Sequence, residues 1–444
     1  MRPPSSPSEG LFDGLFARGA VAEQVSDRAW LQAMLDVEAA LARAAASVGL
    51  VPEAAAEAIT ARCDAGNFDL AELGREAATT GTPVPALVRA LTEQLPDDAA
   101  AHVHRGATSQ DILDTASMLV ARRALAPLLE DLDGAAEAAA RLAEANRGTL
   151  VAGRTLLQQA LPTTFGLKAA AWLVGLEESR ALLADVRGRT LAVQLGGAVG
   201  TLASLGEDGL DVASALAREL ELAEPTVPWH TVRVRPAMLA AALGTAAGVL
   251  AKIARDVILL AQTEVGEARP AAVGGSSTLP HKRNPVGAVL AVACAERTPG
   301  LVATMLAAMA QEHERGAGGW HAEWETLRDL LRLTGSAAVS LRETLEGLEV
   351  DAGRARENLD GLLMAESVAT ALTPALGRLA AHDLVERSVG HAIEGGRSLR
   401  DVLLESPEVA RELGEDGLDA ALDPQRYLGV AEALVDRALA LRRA

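Results

Sequence analysis

The chain is 444 residues long, carries a formal net charge of −19 and contains 49% hydrophobic residues, which suffices for a large core and excludes extensive disorder. Aromatic residues make up only 2%, whereas β-sandwiches and barrels draw on aromatic and β-branched side chains. The composition therefore favours helices. The acidic balance excludes general binding to nucleic acids or to anionic membranes.

The cysteines and the N-terminus indicate the compartment. Cys63 and Cys294 lie far apart and form no CxxC pair, so we expect two buried free thiols rather than a disulfide or a zinc site. The first ten residues, MRPPSSPSEG, contain no apolar stretch, and we expect no signal peptide. The longest uncharged helical stretch, AMLAAALGTAAGVLA, is shorter than the ~20 apolar residues of a membrane span. The sequence therefore predicts a soluble, cytoplasmic protein.

Apolar residues recur at spacings of three and four through most of the chain, which predicts amphipathic helices. We expect one helix after Ser26 that ends near Gly49, a second over residues 52–64, and a loop at TTGTPVP, residues 79–85. Because the longer helices of the middle region are rich in Ala, Leu and Val on several sides, we expect a bundle inside an oligomer. These longer helices are predicted over residues 111–147 (bent at Pro127), 162–189, 236–269, 285–314 and 322–347, with shorter helices from about residue 351.

Four polar segments interrupt the helical pattern. They are TTGTP (79–83), HVHRGATSQDILDT (102–115), GRTLLQQALPTTFG (153–166) and GGSSTLPHKRNPV (274–286). The last combines glycines, which leave backbone amides uncovered, with hydroxyl groups and a cationic helix start. It predicts a carboxylate-binding site with a potential proton donor. A flexible surface loop is the alternative, which the complete PHKRNP run disfavours.

These segments resemble the motifs of a known enzyme superfamily. GSSTLPHKRNP is similar to the signature loop GSSxMPxKxNP of the fumarase/aspartase superfamily, with Leu279 in place of the usual Met. TSQDILDT, GRTLLQQALPTTFG and GGAVGT resemble further segments of that superfamily, so the resemblance covers nearly the whole chain. SDRAWLQAMLDVEAALA, QQALPTTFG and QEHERGAGGWHAEW resemble its 3-carboxy-cis,cis-muconate cycloisomerase branch.

The resemblance implies an all-α protein with three helical domains, over residues 1–110, 111–350 and 351–444. It also implies a homotetramer in which the central long helices form a 20-helix core and each active site combines segments of three subunits. The sequence contains no cofactor fingerprint, and we expect no cofactor and no metal. GGAVG does not have the spacing of a nucleotide-binding GxGxxG motif, so we expect no nucleotide site there.

The implied activity is that of an intramolecular lyase, which interconverts the tricarboxylate 3-carboxy-cis,cis-muconate and the γ-lactone 4-carboxymuconolactone in protocatechuate breakdown. Ser277 matches the catalytic serine and is assigned the proton transfer next to a carboxylate; Lys282 supports it and, with Asn284, matches the carboxylate-binding pair. The other residues implied to bind substrate are Thr82, His104, Thr108, Ser109, Gln110, Thr155, Gln159, Ser276, His281 and Arg283.

Some of these residues have a second interpretation that stays open. His104 either contacts substrate or is a packed structural histidine, and His281 and Arg283 either bind substrate or neutralise the loop surface. His102 and His104 lie two residues apart, but no third ligand is evident, so we expect no metal site. The segment 311–325 forms either a subunit contact near the active site or a structural turn.

Two positions depart from the superfamily's lyases. Leu156 stands where many of them carry a histidine, and Val289 where they carry a glutamate, a pair that acts on the leaving group or on water. Cyclisation needs neither, because the nucleophile is the substrate's own carboxylate. The departures favour cyclisation over lyases of adenylosuccinate or argininosuccinate and exclude a nitrosuccinate lyase less clearly. A non-catalytic scaffold is disfavoured because the residues of the signature loop occur together.

Overall fold

The computed structural model describes residues 10–271, 274–275 and 278–442 and is mostly helical. This confirms the predicted all-α class. The α-helices are α1 Asp13–Phe16, α2 Gly19–Gln24, α3 Asp27–Ser47, α4 Glu53–Arg62, α5 Leu70–Thr80, α6 Val84–Thr92, α7 Asp97–Ala100, α8 Ser109–Ala145, α9 Phe165–Arg189, α10 Gly209–Leu220, α11 Val234–Leu260, α12 Val286–Glu296, α13 Thr298–Ala307, α14 Gly319–Glu346, α15 Ala352–Glu357, α16 Ala365–Leu376, α17 Arg378–Gly395, α18 Leu399–Leu404, α19 Pro407–Glu412, α20 Gly414–Leu422 and α21 Ala431–Ala440.

The strands of the described residues form two antiparallel pairs. The first pair is a hairpin of β1, Leu150–Thr155, and β2, Gln158–Thr164; the second joins β3, Ala268–Pro270, to β4, Leu348–Val350. Short 3₁₀ helices cover Ala65–Asn67, Ala203–Asp208, Gly361–Met364 and Pro424–Tyr427.

The chain divides into two compact units. The first comprises Met1–Gly134, Glu178–Ala254 and Val289–Arg342, and the second comprises Ala135–Glu177, Arg255–Ala288 and Glu343–Ala444. The described core of each unit consists mainly of Leu, Ala and Val side chains, in agreement with the low aromatic content.

Local sequence explains where the helices begin and end. Ser26 caps α3 as predicted, because its hydroxyl oxygen accepts a hydrogen bond from the amide of Ala29 at 3.2 Å. Gly81, with φ of 74°, ends α5 in the left-handed conformation that glycine adopts readily. α8 continues through Pro127 for 37 residues, as the sequence predicts for this region.

Three predicted helices are wrong in part. The helix expected over residues 236–269 ends at Leu260 as α11, and Ala268–Pro270 form β3 instead. The single helix expected over residues 285–314 is divided into α12 and α13, and Pro299 lies in the first turn of α13. Proline has no amide hydrogen to donate and is favoured at a helix start, so it separates the two helices. Residues 162–164, expected at the start of a helix, belong to β2 instead. The loop predicted at 79–85 is shorter, because α5 and α6 enter it from both sides.

The second unit contains a small separate core formed by short helices. Val368 and Leu372 of α16 pack with Leu384 of α17, Leu403 of α18 and Leu418 of α20. The shorter helices expected from about residue 351 are therefore present. Both cysteines, Cys63 and Cys294, are buried and free as predicted, and burial raises the pKa of Cys63 to about 12.

Among the described residues, two helical stretches are long and apolar enough to cross a membrane by length and composition. In Val234–Leu260 the most apolar window is 61% buried, and in Val286–Ala307 it is 28% buried. The first stretch exceeds the predicted uncharged segment because the helix continues past Lys252. Core helices of soluble proteins meet the same criterion, so these stretches are weak support for a membrane protein.

Arg233 is the buried centre of a polar cluster in the first unit. Its guanidinium, 2% exposed, donates to both carboxylate oxygens of Asp114 at 2.7 and 2.9 Å, and its Nε donates to Glu323 at 2.9 Å. The indole N–H of Trp320 donates to Asp114 at 3.0 Å, and the Trp229 ring packs on the guanidinium at 4.8 Å. Because each guanidinium nitrogen has an acceptor, the cluster compensates the desolvation of its charges.

We expect Asp114→Ala to lower the free energy of unfolding by about 3–5 kcal/mol, because it removes a partner of a buried charge. Urea unfolding at a fixed protein concentration measures this loss. Asp185→Ala is the control, since its carboxylate pairs with Arg189 on an exposed helix face, and it should cost at most ~1 kcal/mol. Equal effects of the two substitutions would contradict a stabilising role of the Arg233 cluster.

Candidate active site

The start of α8 carries three of the predicted substrate-binding residues. Thr108 precedes the helix, Ser109 is its first residue, and both are half-buried. Among the described residues, no side chain or backbone group hydrogen-bonds to either hydroxyl. A long helix also leaves free N–H groups at its N-terminus, where a negative charge is favoured. These groups can hold a carboxylate.

Asp111 fixes this helix start to two other segments. Its carboxylate accepts hydrogen bonds from the amides of Thr108 at 3.0 Å, Gly196 at 3.0 Å and Gly197 at 2.9 Å. The Nε2 atom of His230 lies 2.7 Å from the same carboxylate. Asp111 is buried, and these four contacts satisfy its oxygens. The glycine turn predicted at 196–201 is thus held against the helix that carries Thr108.

Gln110 is fully occupied by structural hydrogen bonds. Its Nε2 donates to Asp114 at 3.1 Å and to the carbonyl of His230 at 2.8 Å, while its Oε1 accepts from Arg315 at 2.7 Å. Arg315 also donates to the carbonyl of Ala198 at 2.8 Å. To bind substrate, Gln110 would have to give up one of these hydrogen bonds. In the structure it joins α8 to the segments that contain His230 and Arg315.

Arg315 belongs to the segment 311–325, for which the sequence left two interpretations. Its contacts place part of that segment against Gln110 and the glycine turn. No carboxylate of the described residues lies within ion-pair distance of its guanidinium. No motif within the segment indicates a role for this arginine in particular.

Thr82 and His104 precede α8 in the chain. The hydroxyl of Thr82 is buried and has no hydrogen-bond partner among the described residues. His104 is half-buried, and its Nδ1 lies 2.7 Å from a carboxylate oxygen of Glu38. Glu38 belongs to none of the polar segments found in the sequence, although one signal was present. Glu38 follows Leu31 and Leu35 by seven and three residues and therefore lies on the buried stripe of α3.

The second unit holds the other predicted residues on a hairpin and a loop. Arg154 of β1 is fixed by Glu267, which is buried and lies 3.0 Å from Arg154 Nη1. Thr155 follows at the exposed end of the strand. The Gln159 side chain donates to the carbonyl of Asn358 at 2.9 Å, so it anchors β2 to the segment before Gly361. Gln159, like Gln110, has a structural contact.

The turn of this hairpin has an unusual sequence. Leu156 and Leu157 have φ angles of 50° and 65° and are 97% and 71% exposed. Two-residue turns with both φ angles positive normally contain Asn-Gly, because a left-handed leucine costs about 1–2 kcal/mol. Leu156 is the residue that stands where many lyases of the superfamily carry a histidine. Strained backbone of this kind concentrates at functional sites.

The signature loop, residues 274–284, is closed by backbone pairing. The amide of Gly274 donates to the carbonyl of Asn284, and the reverse bond also forms, both at 3.0 Å. A Cβ at position 274 would lie 2.3 Å from Val286, so only glycine fits this approach to the start of α12. Asn284 is half-buried at the end of the loop.

Three described side chains of the signature loop, His281, Lys282 and Arg283, are exposed. Neither the two cations, Lys282 and Arg283, nor the imidazole of His281 has a carboxylate within ion-pair distance among the described residues. Unpaired cations at a helix start are suited to an anionic ligand. Ser276 and Ser277, for which the sequence predicts binding and proton transfer, lie outside the described residues.

Comparison with known proteins identifies the family. The model of the lyase family matches residues 16–300, which is more than half of the chain, and the model of the adenylosuccinate lyase C-terminus matches residues 361–438. The chain therefore belongs to the lyase family, and the predicted membership of the fumarase/aspartase superfamily is confirmed.

Several relatives match over almost their whole length. The 3-carboxy-cis,cis-muconate cycloisomerase of Pseudomonas aeruginosa is 51% identical over 98% of this chain and 96% of that protein. The nitrosuccinate lyase of Streptomyces davaonensis is 47% identical over 97% of this chain and 94% of that protein. The crystal structure of the 3-carboxy-cis,cis-muconate lactonizing enzyme from Pseudomonas putida superposes with a TM-score of 0.93 at 46% identity, covering 98% of this chain and 99% of that chain.

The hairpin turn gives a prediction about stability. We expect the double substitution Leu156→Asn and Leu157→Gly to raise the free energy of unfolding by about 1–3 kcal/mol, because the new residues adopt positive φ at lower cost. Urea unfolding of the two proteins checks this. Leu182→Gly within α9 is the control for loss of a partly exposed leucine, and it should lower stability by ~1 kcal/mol. A double variant no more stable than the parent would contradict strain in this turn.

Proposed function

We propose that the protein is an intramolecular lyase that interconverts 3-carboxy-cis,cis-muconate and 4-carboxymuconolactone in protocatechuate catabolism through the β-ketoadipate pathway. The observation that carries this proposal is the full-length similarity to proteins of that activity, 51% identical over 98% of the chain. The departures at Leu156 and Val289 support it, since cyclisation needs no added water or amine. The substrate is a small tricarboxylate, and the proposal includes no cofactor and no nucleic-acid or membrane partner.

The reaction forms one C–O bond and one C–H bond. A carboxylate of the substrate attacks a double bond, and the electron pair moves to the carbon next to another carboxyl group. The resulting aci-carboxylate carries two negative charges, so fixed donors and cations in a water-poor cleft lower its energy. Ser277 then delivers its proton to this carbon, and a proton from solvent restores the hydroxyl; in the reverse direction the serine alkoxide takes the proton from the carbon. Lys282 and the loop amides stabilise the serine alkoxide.

The other predicted residues bind the carboxylates of the substrate. The hydroxyls of Thr108 and Ser109 and the N-terminus of α8 hold one of them, supported by the absence of other partners for these hydroxyls among the described residues. Lys282 and Asn284 hold another. Further contacts are proposed from Thr82, His104, Gln110, Thr155, Gln159, Ser276, His281 and Arg283; Gln110 and Gln159 would each exchange a hydrogen bond within the protein for one to the substrate.

A second candidate function is a succinyl-compound lyase that eliminates nitrite from nitrosuccinate. The relative from Streptomyces davaonensis, 47% identical over 97% of the chain, favours it. Nitrite is a good leaving group that needs no protonation by a histidine, so Leu156 does not exclude this chemistry. Adenylosuccinate and argininosuccinate have amine-type leaving groups and are disfavoured by Leu156 and Val289.

We also propose a cytoplasmic homotetramer with a 20-helix core, three domains at residues 1–110, 111–350 and 351–444, and active sites shared among three subunits. The apolar stretch Val286–Ala307 supports an assembly, because only 28% of its most apolar window is buried within one chain. Val289 and Leu306 are exposed on this stretch. Burial of such a surface against further copies removes apolar area from water.

Substrate choice decides between the two candidate functions. The purified protein is mixed separately with 3-carboxymuconate, nitrosuccinate, adenylosuccinate and argininosuccinate, and turnover is followed by absorbance and by product analysis. We expect rapid conversion of 3-carboxymuconate to lactone. Nitrite release from nitrosuccinate with no lactone formation would support the second candidate and overturn the first.

Substitutions in the signature loop test the assigned roles. Ser277→Ala should lower kcat by at least ~10²-fold, because proton transfer by a positioned group contributes that much or more. Lys282→Met should lower kcat/KM by ~10-fold or more through loss of a charged contact. Ser204→Ala and Lys252→Met, which change the same residue types elsewhere, are the controls. Near-parental kinetics of Ser277→Ala would remove Ser277 from the mechanism.

Size-exclusion chromatography with light scattering tests the assembly. The parent protein should have the mass of four chains, and Leu306→Glu should shift it to smaller species because a charge is placed in the buried apolar surface. Leu379→Glu, a matched change at an exposed leucine of α17, should leave the mass unchanged. A monomeric parent protein would contradict the tetramer.

A further inference from the structure

The segment that leads into α8 is held in a strained conformation at His104. Its φ is 59°, in the left-handed region that residues with a side chain rarely adopt. Gly106, with φ of 77°, follows; a Cβ there would lie 2.4 Å from Leu205. The segment therefore packs closely. The left-handed backbone conformation of His104 costs ~1–2 kcal/mol, which contacts elsewhere in the protein must offset.

Glu38 is the group that holds the imidazole of His104. Its carboxylate is 1% exposed, and Oε1 lies 2.7 Å from Nδ1 of His104. The other oxygen, Oε2, is buried and has no hydrogen-bond partner among the described residues. Glu38 lies between Leu35 and Ala42 on the buried stripe of α3, where an apolar side chain would be expected. A buried carboxylate with one unpaired oxygen is unfavourable for folding alone, which points to a role outside stability.

The imidazole is only partly enclosed. The His104 side chain is 20% exposed, and its Nε2 has no hydrogen-bond partner among the described residues. Burial lowers the pKa of His104, but the charge and hydrogen bond of Glu38, together with the charge of Asp111, outweigh burial and raise that pKa above its ordinary value. This shift favours the protonated imidazole, and an Nε2–H group has no acceptor among the described residues, so it can donate to a ligand.

Asp111 and Glu38 act on His104 in different ways. The Asp111 carboxylate is already engaged by Thr108, two glycine amides and His230, so it contributes charge without a direct bond. Glu38 contributes the direct contact and sets the orientation of the ring. Loss of the Glu38 charge would thus change both the charge and the direction of the free N–H group.

We propose that Glu38 is a positioning residue of the active site, whose carboxylate fixes His104 so that Nε2–H donates to a carboxylate of the anionic substrate. This rests on the proposed function only in the identity of that anion. His104 contacts the ligand, and Glu38 acts through His104. Of the two interpretations that the sequence leaves open for His104, the proposal takes substrate binding.

Titration of the histidine tests the pair without reference to activity. The full-length protein is labelled with [13Cε1]-histidine, and the His104 resonance is assigned by its loss in His104→Gln. In the parent protein His104 should titrate above the ordinary value of about 6.5. Glu38→Gln, which keeps the size of the side chain, should lower the pKa by about one pH unit or more. Titration of the parent His104 at or below 6.5 would overturn the proposal, even if the variant does not fold.

Binding of tricarballylate, a stable tricarboxylate, tests the functional part. The parent His104 resonance should shift when tricarballylate is added, and Glu38→Gln should raise the Kd by ~10-fold or more, because a charge-assisted contact is lost. Glu219→Gln is the matched control. Glu219 of α10 pairs with Arg43, which lies on α3 as Glu38 does, so the control also removes a carboxylate next to that helix. The control should bind as the parent does.

A double-substitution cycle separates positioning from a general structural effect. In the His104→Gln background, Glu38→Gln should change the Kd of tricarballylate by less than ~2-fold, because the residue through which it acts is absent. An equal loss in both backgrounds would show that Glu38 acts by another route and would overturn the proposal. Tricarballylate binding tests the anion site directly, so absence of cycloisomerase activity would contradict the proposed function while leaving this test intact.

Discussion

The first two turns of α8 carry two buried carboxylates that organise the first unit. Asp111 and Asp114 are three residues apart and therefore lie on one face of the helix. Each must be supplied with donors, because a buried charge without partners is costly. Asp111 takes its donors from the glycine turn and His230, and Asp114 takes them from Arg233 and Trp320. The position of the helix start, and so of Thr108 and Ser109, depends on these bonds.

The helices were predictable because their apolar periodicity is strong and continuous. The hairpin was not, since its turn contains two leucines and has none of the Asn or Gly residues that normally mark such a turn. Pro299 signals the division between α12 and α13, but the apolar composition on both sides of it favoured the prediction of a single helix. The polar segments of the site were found from the sequence, whereas Glu38, His230 and Arg315 became apparent only from contacts distant in the chain.

Local cations can attract an anion even to an acidic chain. The chain carries a net charge of −19, and some cations are paired with acidic groups, as the partly exposed Arg147 is with Glu144 and Asp436. Lys282, Arg283 and Arg315 have no such partner among the described residues, and the same holds for exposed arginines elsewhere, such as Arg62 and Arg378. Since charges farther apart than about 8–10 Å are screened by salt, the local cations determine attraction of an anion more than the net charge does. An acidic protein can therefore bind a tricarboxylate.

The hairpin turn has no histidine at position 156, and this absence agrees with the proposed reaction. A histidine at position 156 would bring a proton-transfer group, whereas a leucine brings only apolar surface and a strained backbone. In a cyclisation the attacking carboxylate is part of the substrate, so proximity within the substrate replaces much of the activation that a separate nucleophile requires. The enzyme then has to hold the substrate in a folded form and supply one proton. An apolar turn is compatible with that task and would not assist the departure of an amine, which has to be protonated as it leaves.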